Sequence, residues 1–151
     1  MTRQHEVWIV DDDKAIRWVL ERALEKEHIA TRSFDNADKV MTRLKKIEPD
    51  VIITDIRMPG TDGLRLLEYV QSEHPHVPVI VMTAYADLDV LVDAVNSGAV
   101  DRYVQKPWNA DELGSIVRQG IRVWATLSEN RRLRDQLRAY TGYLEGQQRD
   151  P

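Results

Sequence analysis

The chain has no cysteine, which excludes a disulfide scaffold, a thiolate zinc site and a cysteine nucleophile. It has no apolar run near the ~20 residues that a membrane-spanning helix needs. Met1 to Glu6 are polar where a signal peptide would carry its apolar stretch. It also lacks a strong excess of either charge: 21 basic and 25 acidic side chains leave a net −4. A uniformly basic coat for nucleic acid is therefore absent. What is present is the balance of a globular chain, 42% hydrophobic and 30% charged over 151 residues, enough for one domain with a short extension. The expected setting is cytoplasmic, with no membrane partner.

The charge is unevenly placed. Residues 118–151 hold seven basic and four acidic side chains, so the body before them is acidic and the tail mildly basic. Short apolar runs at Val7 to Val10, Ile29 to Phe34, Val51 to Ile53, Val77 to Met82 and Tyr103-Val104 predict five strands. Between them lie helical stripes. Ile16, Val19, Leu20, Ala23 and Leu24 form the first, and Ala37, Val40, Leu44 and Ile47 the second. Leu64, Leu67 and Val70 form the third, and Leu88, Leu91 and Val95, closed by Gly98, the fourth. Asn109 with Glu112 reads as a capping box that opens the fifth. Strict alternation of this kind predicts an α/β fold, a flavodoxin-like doubly wound parallel sheet of order 2-1-3-4-5 with five helices. In such sheets ligands bind at the carboxyl ends of the strands.

Those ends carry the chemistry. Asp11-Asp12-Asp13 follows the first strand, Asp55 ends the third, Thr83 the fourth, and Lys106-Pro107 follows the fifth. Carboxylates ~4 Å apart repel by roughly 1 kcal/mol in water and about 4 kcal/mol at an effective dielectric of 20. The cluster must therefore hold protons or a cation, and oxygen donors favour a hard ion such as Mg²⁺. Such an ion leaves positions for phosphoryl oxygens, with Asp55 as the nucleophile and Thr83 and Lys106 on the remaining oxygens. Singly, each residue has a plainer use: Asp11 to Asp13 can cap the first helix, Asp55 can open a turn, and Lys106 can be a solvated loop lysine. Their arrival at successive strand ends outweighs those uses.

In these residues, and in Asp55-Ile56-Arg57-Met58-Pro59-Gly60 and Met82-Thr83-Ala84, the chain resembles a response-regulator receiver domain of two-component signalling over about residues 5–120. Val7 to Asp13 and Ile16 to Leu24 are similar to nitrogen-regulation (NtrC-type) receivers. Lys106-Pro107-Trp108 looks more like receivers attached to hydrogenase regulators or cyclic-dinucleotide phosphodiesterases. The resemblance implies that Asp55 accepts a phosphoryl group from a sensor histidine kinase or phosphotransfer protein. It implies Mg²⁺ held by Asp12, by Asp11 through water, by Asp55 and by the main-chain carbonyl of Arg57. Thr83 and Tyr103 would form the switch that alters the surface of the fourth helix, fifth strand and fifth helix. The output is transcription regulation or, alternatively, a cyclic-dinucleotide enzyme. An aspartyl phosphatase is the rival from another class, but it would need an acid two residues after the nucleophile, where Arg57 stands. The chain is thus expected to catalyse only its own phosphorylation and dephosphorylation.

Residues 1–120 read as the receiver and 121–151 as a helical, coiled-coil-like linker toward an output domain in cis. Val123, Asn130, Leu133, Leu137, Tyr140 and Leu144 keep heptad spacing, broken at Thr126, and imply a homodimer. The alternative is a solvated helix carrying Arg131, Arg132, Arg134 and Arg138. Without a helix-turn-helix, these arginines do not make a direct nucleic-acid site. Trp8 reads as core, and Trp18, off the first stripe, as exposed toward the kinase or partly covered by a loop. His74 and His76, which flank Pro75, read as a solvated loop, with a metal site as the lesser alternative.

Overall fold

Val7 to Val10, Val51 to Ile53 and Val79 to Met82 are apolar and rich in β-branched side chains, as strands covered on both faces require. The computed structural model describes residues 5–58, 60–83, 92, 102–105 and 110–149. It pairs five parallel strands: β1 (Glu6–Val10), β2 (Ala30–Phe34), β3 (Val51–Asp55), β4 (Val79–Thr83) and β5 (Arg102–Gln105). Their order is β2-β1-β3-β4-β5, as the alternation predicts. The helices among the described residues are α1 (Lys14–Glu25), α2 (Ala37–Leu44), α3 (Gly63–Glu73) and α4 (Ala110–Arg149). Apart from Val92, the predicted helix around Leu88 to Gly98 falls outside the described residues, as does Asn109, the cap expected for the fifth helix.

Side-chain alternation splits the core in two. Trp8, Val10, Ile52 and Val81 face α2 and α3, packing on Val40, Leu44, Leu66, Leu67 and Val70. Val7, Ile9, Ile53, Ile80 and Met82 face α1 and α4, packing on Leu20, Leu24, Leu113 and Val117. Asp13 caps α1 by accepting from Ala15 N, Asn36 caps α2 through Lys39 N, and Asp62 caps α3 through Arg65 N.

Three expectations are corrected. Val19 is 43% exposed, because Leu20 and Leu24 carry the buried stripe of α1 and Val19 lies beside it. Ile47 is 47% exposed, because α2 stops at Leu44 and Ile47 lies in the turn beyond. His74 and His76 are not solvated: their side chains keep only 16% and 13% of their exposure, and both bind Glu48. Trp8 is fully buried and Trp18 is exposed, with the Arg22 guanidinium 5.1 Å over its ring.

Candidate functional site

Strand register brings the site together. Val10 pairs with Thr54, which places Asp11 and Asp55, each one residue further on, side by side at the sheet edge. Asp55 in turn pairs with Met82, and Thr83 with Gln105, so Thr83 and Gln105 lie at the same carboxyl end of the sheet. The carboxylates of Asp11, Asp12 and Asp55 lie within 4.8 Å of one another. Asp11 is buried, Asp55 half-buried and Asp12 exposed, so the cluster opens to solvent on one side.

Local hydrogen bonds hold each member. The Asp11 carboxylate accepts from Asp13 N at 2.9 Å, and the Asp11 main chain bridges β2 by donating to Phe34 O at 3.2 Å. Arg17, one turn into α1, donates to Asp11 O at 2.7 Å. Asp13 is spent on the helix cap, which divides the aspartate run between two tasks: Asp13 caps, while Asp11 and Asp12 face the cluster. The Asp55 carboxylate accepts from Ile56 N at 2.8 Å, and Thr54 Oγ1 donates to Asp55 O at 2.9 Å. Thr83 is fully buried at the end of β4. Arg57 is exposed in the turn after β3. Tyr103 lies on β5 in register with Val81, its side chain outside the described set, and Lys106 lies outside the described residues.

Residue-type reasoning missed one member. Gly63, the first residue of α3, donates through its N–H to Ile56 O at 2.8 Å. A Cβ there would lie 2.0 Å from Asp55 O. Only glycine lets α3 start against the backbone that presents Asp55. The Asp62-Gly63 pair, a cap followed by glycine at a helix start, was the available signal. Nearby Gly60 takes φ +79°, so the turn between β3 and α3 spends a second glycine on a left-handed conformation.

The donor set is all oxygen, three carboxylates converging at one edge, and suits a hard divalent cation such as Mg²⁺. No helix among the described residues is long and apolar enough to cross a membrane.

Comparison with known proteins agrees with this geometry. The "DNA-binding transcriptional regulator NtrC" of Salmonella typhimurium (strain LT2) is 49% identical over 115 residues, 76% of this chain and 24% of that protein. The chain thus spans about a quarter of the length of such curated relatives. A solution structure of the apo receiver domain of nitrogen regulatory protein C superposes with a TM-score of 0.72 at 45% identity, covering 80% of this chain and 96% of the other. The signal receiver domain of an HD domain-containing protein from Pseudomonas fluorescens Pf-5 gives a TM-score of 0.79 at 28% identity, covering 85% and 95%. The model of the response regulator receiver domain matches residues 7–118, from the first strand into the long helix. The chain belongs to the response regulator receiver domain family.

Proposed function

We propose that this chain is the phosphoacceptor of a two-component regulator, with Asp55 as the residue that becomes phosphorylated. The single observation that carries the reading is the convergence of Asp11, Asp12 and Asp55 within 4.8 Å beside the buried Thr83. An Asp55 carboxylate oxygen attacks the phosphorus of a phosphohistidine on a sensor kinase or phosphotransfer protein. The P–O bond forms as the P–N bond breaks, and the imidazole leaves with a proton. Asp11 and Asp12, with Asp55 and the main-chain carbonyl of Arg57, would hold Mg²⁺. Bound there, the ion supplies positive charge to the oxygens of the group in transfer. The Ile56 N–H already restrains Asp55 Oδ1 through its 2.8 Å bond, so the nucleophile enters the reaction oriented. Thr83 donates its hydroxyl to one phosphoryl oxygen and Lys106 its ammonium to another.

The new charge draws Thr83 toward the site, and Tyr103, paired with Val81 two residues back along the β4–β5 ladder, turns into the space it leaves. The surface that follows β4 and leads into α4 then presents a new face to an output domain. Residues 1–120 are the receiver and 121–151 the linker to that domain, in a cytoplasmic regulator that pairs as a homodimer. Identity of 49% to a transcriptional regulator favours transcription as the output. Likeness to the receiver of an HD domain-containing protein supports the second reading, an attached enzyme, at a lower 28% identity.

The test is beryllofluoride or acetyl phosphate with Mg²⁺, followed by amide NMR and by mass. Wild type is expected to gain a phosphoryl group from acetyl phosphate and, with either reagent, to shift the signals of β4, β5 and the start of α4. Asp55→Asn is expected to do neither, and an unchanged response in that variant overturns the assignment.

A further inference from the structure

A second cluster of donors sits at the opposite end of the sheet, a strand's length from Asp55. His74 closes α3, His76 lies in the turn before β4, and Glu48 lies in the loop before β3. His74 Nδ1 is 2.7 Å from Glu48 Oε2, and His76 Nε2 lies 2.8 Å from both Glu48 oxygens. The backbone around them is fixed. His74 N donates to Val70 O at 2.7 Å, Val77 N to His74 O at 3.0 Å, and Ile52 N to Pro78 O at 3.0 Å. Pro75 fixes the backbone between the two histidines. The Tyr69 ring flanks His74 at 6.0 Å. The three side chains are mostly buried but still reach water, at 16%, 13% and 32% exposure.

We propose that His74, His76 and Glu48 form a binding site for a borderline divalent transition-metal ion, with Zn²⁺ as the best fit. Two imidazoles and one carboxylate, with a fourth position open to solvent, are a donor set that zinc accepts and that magnesium, which prefers oxygen and water, does not. The position Glu48 Oε2 now occupies is the natural seat, since both imidazole nitrogens already point to it. Zinc–nitrogen bonds of ~2.0–2.1 Å require each imidazole to close by about 0.7 Å. Glu48 must swing aside and return one oxygen as a ligand. The two nitrogens flank that oxygen rather than each other, so the site closes on loading. On loading, the ring proton that each near nitrogen now donates to Glu48 moves to the far nitrogen by exchange with water, which frees the near lone pair for the metal. Loading would brace the entry of β3 and β4, the strands that carry Asp55 and Thr83, without using either residue.

The test uses the full 151-residue chain, stripped by chelator, with saturating MgCl₂ to occupy the aspartate cluster. CoCl₂ is titrated first. One equivalent is expected to give the intense visible absorption of a four- or five-coordinate ion, bleached by one equivalent of ZnCl₂. Zn²⁺ is also expected to shift the His74 and His76 imidazole NMR signals. His76→Gln and Glu48→Gln should each weaken Zn²⁺ binding at least tenfold, while His5→Gln should leave it unchanged. A Co²⁺ spectrum that stays six-coordinate, or equal Zn²⁺ affinity in wild type and the two ligand variants, overturns the proposal. Should either variant fail to fold, the wild-type cobalt spectrum and imidazole shifts decide by themselves.

Discussion

Gly63 shows how narrowly one residue constrains the carboxyl end of β3. An added Cβ would meet Asp55 O at 2.0 Å, and the atom it meets is backbone that cannot swing away. Gly63→Ala is therefore expected to cost ~1–3 kcal/mol, the usual scale of overpacking, and to slow acetyl-phosphate labelling of Asp55. Urea unfolding and mass spectrometry check the two effects. Glu48 offers a pH-dependent test. Burial would raise its carboxyl, but hydrogen bonds from His74 and His76 and the charge of those rings outweigh it and hold it below the usual glutamate range. A folded-state pKa below the unfolded value contributes stability that is present above pH ~4.3 and lost as pH falls through the lower folded value. The urea midpoint of wild type should fall in that acid window by an increment that Glu48→Gln does not show. Residue identity foretold neither feature. The placement of Asp11, Asp55 and Thr83 at strand ends was legible because apolar β-branched runs mark where each strand stops. Gly63 and Glu48 act through what lies opposite them, at separations in sequence that no local pattern records.

At the scale of elements, strand order and register were legible because β-branched runs buried on both faces leave little freedom in how they pair. Helix extent was not. α1 buries Leu20 and Leu24 but turns Val19 outward, and α2 stops three residues short of Ile47, because a stripe marks a face without marking its width or its end. α4 changes character along its length. Leu113, Ile116 and Val117 are buried against the sheet, and Gly120 brings the helix within van der Waals reach of Val51, where a Cβ would lie 3.0 Å from a methyl. Beyond that point Val123, Leu133, Leu137, Tyr140 and Leu144 are all 42% exposed or more. An exposed stripe at heptad spacing is the surface that a second copy of the helix would cover. Leu137→Glu is accordingly expected to shift sedimentation from dimer to monomer while leaving Asp55 labelling unchanged. Equal sedimentation of variant and wild type would count against pairing along this stripe.

At the scale of the whole molecule, the two half-cores share the same strands: Ile52 belongs to one and Ile53 to the other. Loss of either side chain therefore weakens a sheet that both helical layers need. Ile52→Ala and Ile53→Ala are each expected to cost ~2–5 kcal/mol. Unfolding should stay a single transition, with the fluorescence of the buried Trp8 and the far-ultraviolet circular dichroism coinciding. Separate transitions for the two probes would show that the layers melt independently. The continuity of α4 has a mechanical consequence. One helix runs from Ala110 to Arg149, anchored in the core by Leu113 and Val117, and at 1.5 Å per residue the part beyond Arg122 reaches about 40 Å from its anchor. A tilt of about 5° where Leu113 and Val117 meet the sheet would carry the far end through roughly 3–4 Å. Rearrangement too small to alter the core would thus arrive at the tip as a displacement as wide as an atom, the helix serving as a lever with its fulcrum in the sheet.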